Sequence, residues 1–150
     1  MKVLVLAIGK LRGDESAWCD EYLKRLGQDI SVKEMAAPKS LSGAEAQKAE
    51  AALILQAIPP QSHVVLMDER GKDCTSRDFA GLLERWHMDA RQVVFIIGGA
   101  DGVTDDVRRK AQTTLCFGHA TWPHRLVRVM LLEQIYRARQ ITAGHPYHRD

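Results

Sequence analysis

Residues 92–103 read QVVFIIGGADGV. Val93 through Ile97 form an unbroken apolar run rich in β-branched side chains. That is the pattern of a strand covered on both faces, as in a parallel sheet flanked by helices. Gly98 and Gly99 follow at its carboxyl end, where ligands sit in open α/β sheets. Glycine there lets the backbone approach a ligand closely. The same pair equally serves a plain tight turn from strand to helix, and this stretch alone leaves both readings open. A dinucleotide site needs G-x-G-x-x-G and a helix N-terminus clear of negative charge. The spacing here differs, and Asp101, Asp105 and Asp106 would repel a pyrophosphate. They also complement a helix dipole, so they prove little positively. The turn suits a cationic or zwitterionic ligand better than an anionic one.

Outward from this stretch the same alternation repeats. VLVLAI (Val3–Ile8) and HVVLMD (63–68) read as buried strands. ISVKEM (Ile30–Met35) alternates like a strand with one wet face, and TLCFG (114–118) reads as a last strand. Helices fall between them. Trp18, Tyr22, Leu23 and Leu26 recur at helical spacing, with Gly27 placed as a C-cap. Ser42 with Glu45, and Thr75 with Asp78, have the spacing of capping boxes. An alanine-rich helix stops at Pro59-Pro60. ERGKDCT (69–75) reads as a turn, Phe79, Leu82, Leu83 and Trp86 mark another helical face, and a short helix starts near Thr104. A long helix spans 125–141. The pattern predicts an α/β fold, a mainly parallel sheet flanked by helices, in one domain over 1–150.

Composition agrees: 45% hydrophobic and 27% charged residues is an ordinary globular balance. Net charge is only +2, which does not announce a nucleic-acid binder. The distribution says more. From residue 121 onward the full positive charges are all arginine, facing only Glu133 and Asp150, and four histidines cluster from His119 on. Arginine forks suit phosphate and planar carbonyl groups, although a solvated helix face reads the same way. Cys19, Cys74 and Cys116 are odd in number and widely spaced, so no disulfide framework or structural zinc site is indicated. A reducing cytoplasm is the expected compartment, with no membrane span. Cys116 reads as core rather than nucleophile.

The final helix is apolar almost all round, through Leu126, Val127, Val129, Met130, Leu131, Leu132, Ile135, Tyr136 and Ile141. A surface helix needs one apolar stripe. A second cover is therefore expected, and a homodimer burying this helix, with Leu131 at its interface, would supply it. Beyond the helix comes GHPYHRD (144–150). His145 and His148 have a metal-like spacing but no third ligand, so no metal is expected. The concentration of histidine, tyrosine and arginine suits chemistry or substrate positioning.

MDERGK (67–72), IIGGADG (96–102) and WPHRLVRVMLLEQIYRARQITAGHPYHR (122–149) occur in series. Together they closely resemble the RlmH family of SPOUT methyltransferases, over essentially the whole chain. The resemblance implies an α/β domain whose C-terminal stretch is threaded into a trefoil knot, a topology rare enough that pattern alone never suggests it. It implies a homodimer that uses S-adenosyl-L-methionine to methylate N3 of a pseudouridine in 23S rRNA (helix 69) of the assembled ribosome. Carried over by position, cofactor contacts would come from Met67, Gly98, Phe117, Gly118, His119, Ala120, Thr121 and Trp122. Met67 stands where leucine is usual, and GHATW (118–122) replaces the commoner SxMTx. Many of these contacts would be made by backbone, which tolerates side-chain change.

The implied reaction sets three demands: in-line placement of donor and base, removal of an imide proton, and positive charge near the flanking carbonyls. His148 or Tyr147 could take or relay the proton, with histidine titrating nearer the working pH. Arg149 could hold the imide oxygens or a phosphate. His124 and Arg128 are the second pair of candidates, and a mechanism in which water takes the proton is compatible with the same residues. Two rivals remain: a non-catalytic α/β nucleotide- or RNA-binding module, and a SPOUT methyltransferase acting on tRNA. The latter often carries an added RNA-binding domain, for which this chain has no room. The weak net charge fits recognition of a ribosomal surface better than a grip on bare RNA.

Overall fold

The apolar runs become strands because each is buried from both sides. The computed structural model describes residues 1–150. Five strands, β1 (Val3–Ile8), β2 (Ile30–Met35), β3 (Ser62–Lys72), β4 (Gln92–Ile97) and β5 (Thr113–Leu115), form one sheet in the order β2-β1-β4-β3-β5. Every pairing is parallel. Alternate side chains of one strand enter different cores. Val3, Val5 and Ala7 of β1 join Val93, Phe95 and Ile97 of β4 on one face. Leu6 and Ile8 join Val94 and Ile96 on the other.

The first face is covered by α1 (Gly13–Leu26), α3 (Ser76–Asp89) and α5 (His124–Thr142). The second is covered by α2 (Gly43–Ala57) and the short α4 (Asp105–Lys110). Gly27 ends α1 with φ 79° and donates its N–H to Leu23, as its position predicts. The Thr75–Asp78 capping box forms with both bonds in place. The Ser42–Glu45 box does not: Ser42 makes no side-chain cap bond. Gly43 begins that helix at φ 55°, outside the right-handed helical region.

Two other sequence readings need correction. The stretch expected as a turn after residue 68 belongs to β3. Met67 and Lys72 both pair with Leu115, and the residues between them bulge out. Gly71 makes this possible: a Cβ there would lie 2.7 Å from Leu115 backbone. β5 in turn stops at Leu115, and the chain leaves the sheet through Gly118 at φ 85°.

The apolar circumference of α5 is mostly covered within the chain. α5 packs against both α1 and α3. Leu131, Leu132 and Ile135 are fully buried, with Val127, Val129, Tyr136 and Ile141 packed against the same core. Leu131 therefore faces the interior of its own subunit and cannot be an interface residue. Leu126 and Met130 are left partly exposed outside both cores. No helix is long and apolar enough to cross a membrane.

Candidate active site

The carboxyl ends of β3, β4 and β5 diverge around a cleft of about 590 Å³. Its floor is Met67, Ile97 and Leu115, the last interior residues of the three strands. One wall is the β3 bulge, Asp68 to Arg70. A second is the glycine turn. The third is the loop from Cys116 to the start of α5.

The glycine turn is tight for a local reason. Gly102 sits at φ 76° and donates its N–H to the Gly99 carbonyl at 3.0 Å. A Cβ on Gly98 would meet Val103 Cγ1 at 2.8 Å. The tight-turn reading of the glycine pair holds, and the turn also lines the cleft.

The third wall exposes backbone. The N–H groups of Phe117 through Trp122 donate to no other protein group, and only the Phe117 carbonyl is taken, by Trp122 Nε1 at 3.0 Å. The loop is held from the side instead. Thr121 Oγ1 donates to the Glu69 carboxylate, and His119 Nδ1 lies 3.3 Å from the Glu69 carbonyl and 3.8 Å from Cys116 Sγ. Such a loop offers an edge of free donors to a planar heterocycle, which fits the adenine of a nucleoside cofactor.

Of the residues predicted to contact a cofactor, Met67, Gly98, Phe117, Gly118, Ala120, Thr121 and Trp122 line this cleft. His119 does not and serves to anchor the loop. His124, the first residue of α5, also lines it. Burial, reinforced by the charges of Arg125 and Arg128, pushes its imidazole below the ordinary histidine range. Its charged form is thus disfavoured, and the ring is a weaker base than a free histidine.

Arg128 lies elsewhere. It is 2% exposed, bonds Glu34 Oε2 at 2.5 Å and donates to the Gly9 carbonyl at 2.9 Å. Glu34 also accepts the Leu11 amide at 2.8 Å. Burial alone would raise the Glu34 carboxyl, but the Leu11 amide and Arg128 outweigh it and hold it below its usual range. This pair, its arginine buried and its carboxylate partly exposed, ties β2 and the β1–α1 loop to α5, just beneath His124.

The tail is docked away from the cleft. Tyr147 donates to Glu133 Oε1 at 3.1 Å and packs edge-on against Tyr136, with Arg137 4.9 Å over its ring. His148 lies 3.1 Å from Arg137 and 3.1 Å from Asp150, which also takes a two-pronged bond from Arg77. Burial and then Glu133 push the Tyr147 phenol up to about 12, so it is no base in this pose. Arg149 is exposed. Glu133 stands nine residues beyond His124, about 14 Å along the helix axis. No group of three or more histidine, cysteine or acidic side chains could hold a metal.

The sequence reading missed one cleft feature, an ion pair between Asp68 and Arg108 at 2.9 Å. Asp68 also accepts the Arg70 N–H at 2.9 Å. Burial would raise this carboxyl, but these partners hold it below its usual range. Its signal was the acid next to Met67 in MDERGK. Nothing in the pattern pointed to the partner on α4.

The comparisons with known proteins agree with this geometry. The family model described as "Predicted SPOUT methyltransferase" matches residues 1–148. Proteins named "Ribosomal RNA large subunit methyltransferase H" are similar along their full length. That of Rhodospirillum centenum is 48% identical and that of Bradyrhizobium diazoefficiens 44%, each match covering 99% of both chains. A solved structure described as a probable methylase family protein from Haemophilus influenzae Rd KW20 shares the fold, with a TM-score of 0.58 at 9% identity, over 99% of this chain and 70% of that one. With a cleft at the carboxyl ends of a parallel sheet and matches spanning its whole length, the chain belongs to the SPOUT methyltransferase family, in the group of ribosomal RNA large subunit methyltransferases H.

Proposed function

We propose that the chain transfers a methyl group from S-adenosylmethionine to N3 of a pseudouridine in large-subunit ribosomal RNA. It does so on the assembled ribosome, in the cytoplasm, as a homodimer. One observation carries the donor assignment. The loop that the family resemblance marks for the cofactor presents free backbone donors to a cleft of small-molecule size. Bound there, the donor supplies a methyl group activated by its positive sulfur. Met67 and Leu115 form an apolar floor, and residues 117–122 read a purine edge through backbone. Asp101 and Glu69 give the cleft the negative character a sulfonium prefers. Family membership implies that this loop and α5 complete a trefoil knot.

The substrate nitrogen must lose a proton before it attacks. His124 is the imidazole that lines the cleft and would take it, as a base weakened by burial. Arg128 acts through His124's helix as a positioning residue. His148, Tyr147 and Arg149 approach a reacting base only if the tail undocks or is delivered across a dimer, because the docked tail contributes nothing to its own cleft. Leu126 and Met130 are the apolar groups of α5 left for a partner to cover.

Ribosomes, bare 23S rRNA and tRNA incubated with donor carrying a labelled methyl group test the proposal. Label is expected in 23S rRNA of whole ribosomes, at a base whose N3-methyl blocks reverse transcription. Label in tRNA alone would make this a tRNA enzyme. No label in any RNA, with the donor still bound, would leave a binding module.

A further inference from the structure

We infer that Arg108, held in place by Asp68, is the receptor for the carboxylate at the methionine end of the methyl donor. The inference rests on the donor assignment above and goes beyond it, to the group that selects the donor's amino-acid portion.

Arg108 lies on α4, past the glycine turn, and its side chain reaches back to the end of β3. Asp68 is its one protein partner, through Nη2. The remaining guanidinium N–H donors have no acceptor in the protein. The Arg108 side chain is 26% exposed and lines the cleft. A guanidinium tied at one nitrogen, with its other donors free and its side chain lining a cleft, can fork onto a carboxylate. Tying it down beforehand lowers the entropy lost on binding.

The charge pattern selects the same ligand. The other cleft cation, Arg70, is exposed, and the charged form of His124 is disfavoured, so Arg108 is the cation withdrawn into the cleft. Glu69 and Asp101 line the same cleft and suit an ammonium. A zwitterion bearing one carboxylate and one ammonium matches both. RNA phosphate would meet the exposed Arg109 and Lys110 of the same helix first. The N-terminus of α4 carries Asp105 and Asp106 and offers an anion nothing.

The test is calorimetric and uses the full chain. S-adenosylhomocysteine, which keeps the amino-acid end, and 5′-methylthioadenosine, which lacks it, are titrated into wild type, Arg108→Gln and Arg108→Lys. Arg108→Gln should weaken S-adenosylhomocysteine by about 10- to 100-fold, the worth of a hydrogen bond to a charged group. It should leave 5′-methylthioadenosine nearly unchanged, which also shows that the variant is folded. Arg108→Lys, keeping charge without the fork, should fall between, and its ratio of the two ligands serves if the Gln variant does not fold. Equal losses for both ligands would make the pair purely structural and overturn the inference. So would unchanged binding of both. If that came with a raised KM for ribosomes, Arg108 would be reading an RNA phosphate instead. A wild type that binds neither nucleoside would sink the donor assignment itself.

Discussion

The two ends of α5 hold functional groups in opposite ways. At the N-terminal end, His124 stands over an ion pair whose arginine is buried and whose carboxylate is partly exposed, and beside a loop braced by the β3 bulge. At the C-terminal end, the tail is held largely at the surface, by the Arg77–Asp150 pair, by His148 and by one tyrosine. Burial makes the first end rigid and sets its protonation. The Arg77–Asp150 pair is exposed and contributes little, whereas His148 and the Arg137–Glu133 pair are more deeply set. Under the proposed function a methyl donor would need a preformed site, whereas a tail that met RNA would need to move.

The contrast can be broken in several places. The largest effect belongs to the segment joining the two ends. Leu131 is fully buried. Leu131→Arg should abolish the folded subunit, at a cost above about 4 kcal/mol for an unpaired buried charge. Folded monomers of this variant, seen by circular dichroism and ultracentrifugation, would restore Leu131 to an interface.

Removing residues 145–150 comes next. Binding of S-adenosylhomocysteine should be little changed, while methyl transfer falls by about 10²- to 10⁴-fold, the usual range for a lost proton-transfer or positioning group. Full-rate transfer by the truncated chain would confine the chemistry to the cleft end.

Gly71→Ala should prise β5 from β3, since the new Cβ would lie 2.7 Å from Leu115 backbone. The expected cost is about 1–3 kcal/mol by urea denaturation, with donor affinity falling as the bulge shifts. Unaltered affinity would mean that the bulge does not brace the loop.

A pH titration compares the ends directly, because each carries one depressed histidine. His87 packs near the N-terminal amine and Arg139, and burial first, then these charges, push it down to about 4. His124 is lowered for the same kinds of reason. The unfolded chain binds protons that both folded imidazoles refuse. Their contribution to stability is therefore full above about pH 6.5 and is lost as pH falls below it. His87→Gln should flatten that slope without touching transfer. His124→Gln should flatten it and also remove the acid limb of the transfer rate, which lies below the ordinary histidine range. An acid limb unmoved by His124→Gln would transfer the base role to the tail.

The smallest effect is expected from Arg77→Ala. The pair it breaks is exposed at both partners, so the melting temperature should not change measurably. Increased proteolysis of the tail at unchanged Tm would show that the pair is a latch. A clear drop in Tm would contradict the loose attachment of that end.

The elements were legible because their causes are local. β1, β4 and the first half of β3 carry unbroken apolar runs, and such runs are stable only as strands between two layers. The loop over residues 117–122 was legible by likeness of motif, and its exposed backbone is unaffected by which side chains GHATW carries. The β3 bulge was not legible. Gly71 in ERGK reads as turn chemistry, and only the approach of Leu115 makes it a point of pairing. Nor was Arg128, which looks like a free cation in PHRLVR and is in fact consumed by Glu34 from a distant strand.

Strand order, cleft floor and the outward or inward face of α5 belong to the tertiary structure. An apolar position reports that it must be covered, but not whether a neighbour in the same chain or a second subunit covers it. For α5 the answer was mostly α1 and α3. A charged side chain likewise states a need for a partner without naming it, since Coulomb attraction depends on distance in space and the sequence records only distance along the chain. Alternating strands and helices, a glycine turn at a strand end and a tail rich in histidine, tyrosine and arginine were properties of residue order. Which of those groups meet in one cleft, and which wait outside it, was settled by packing.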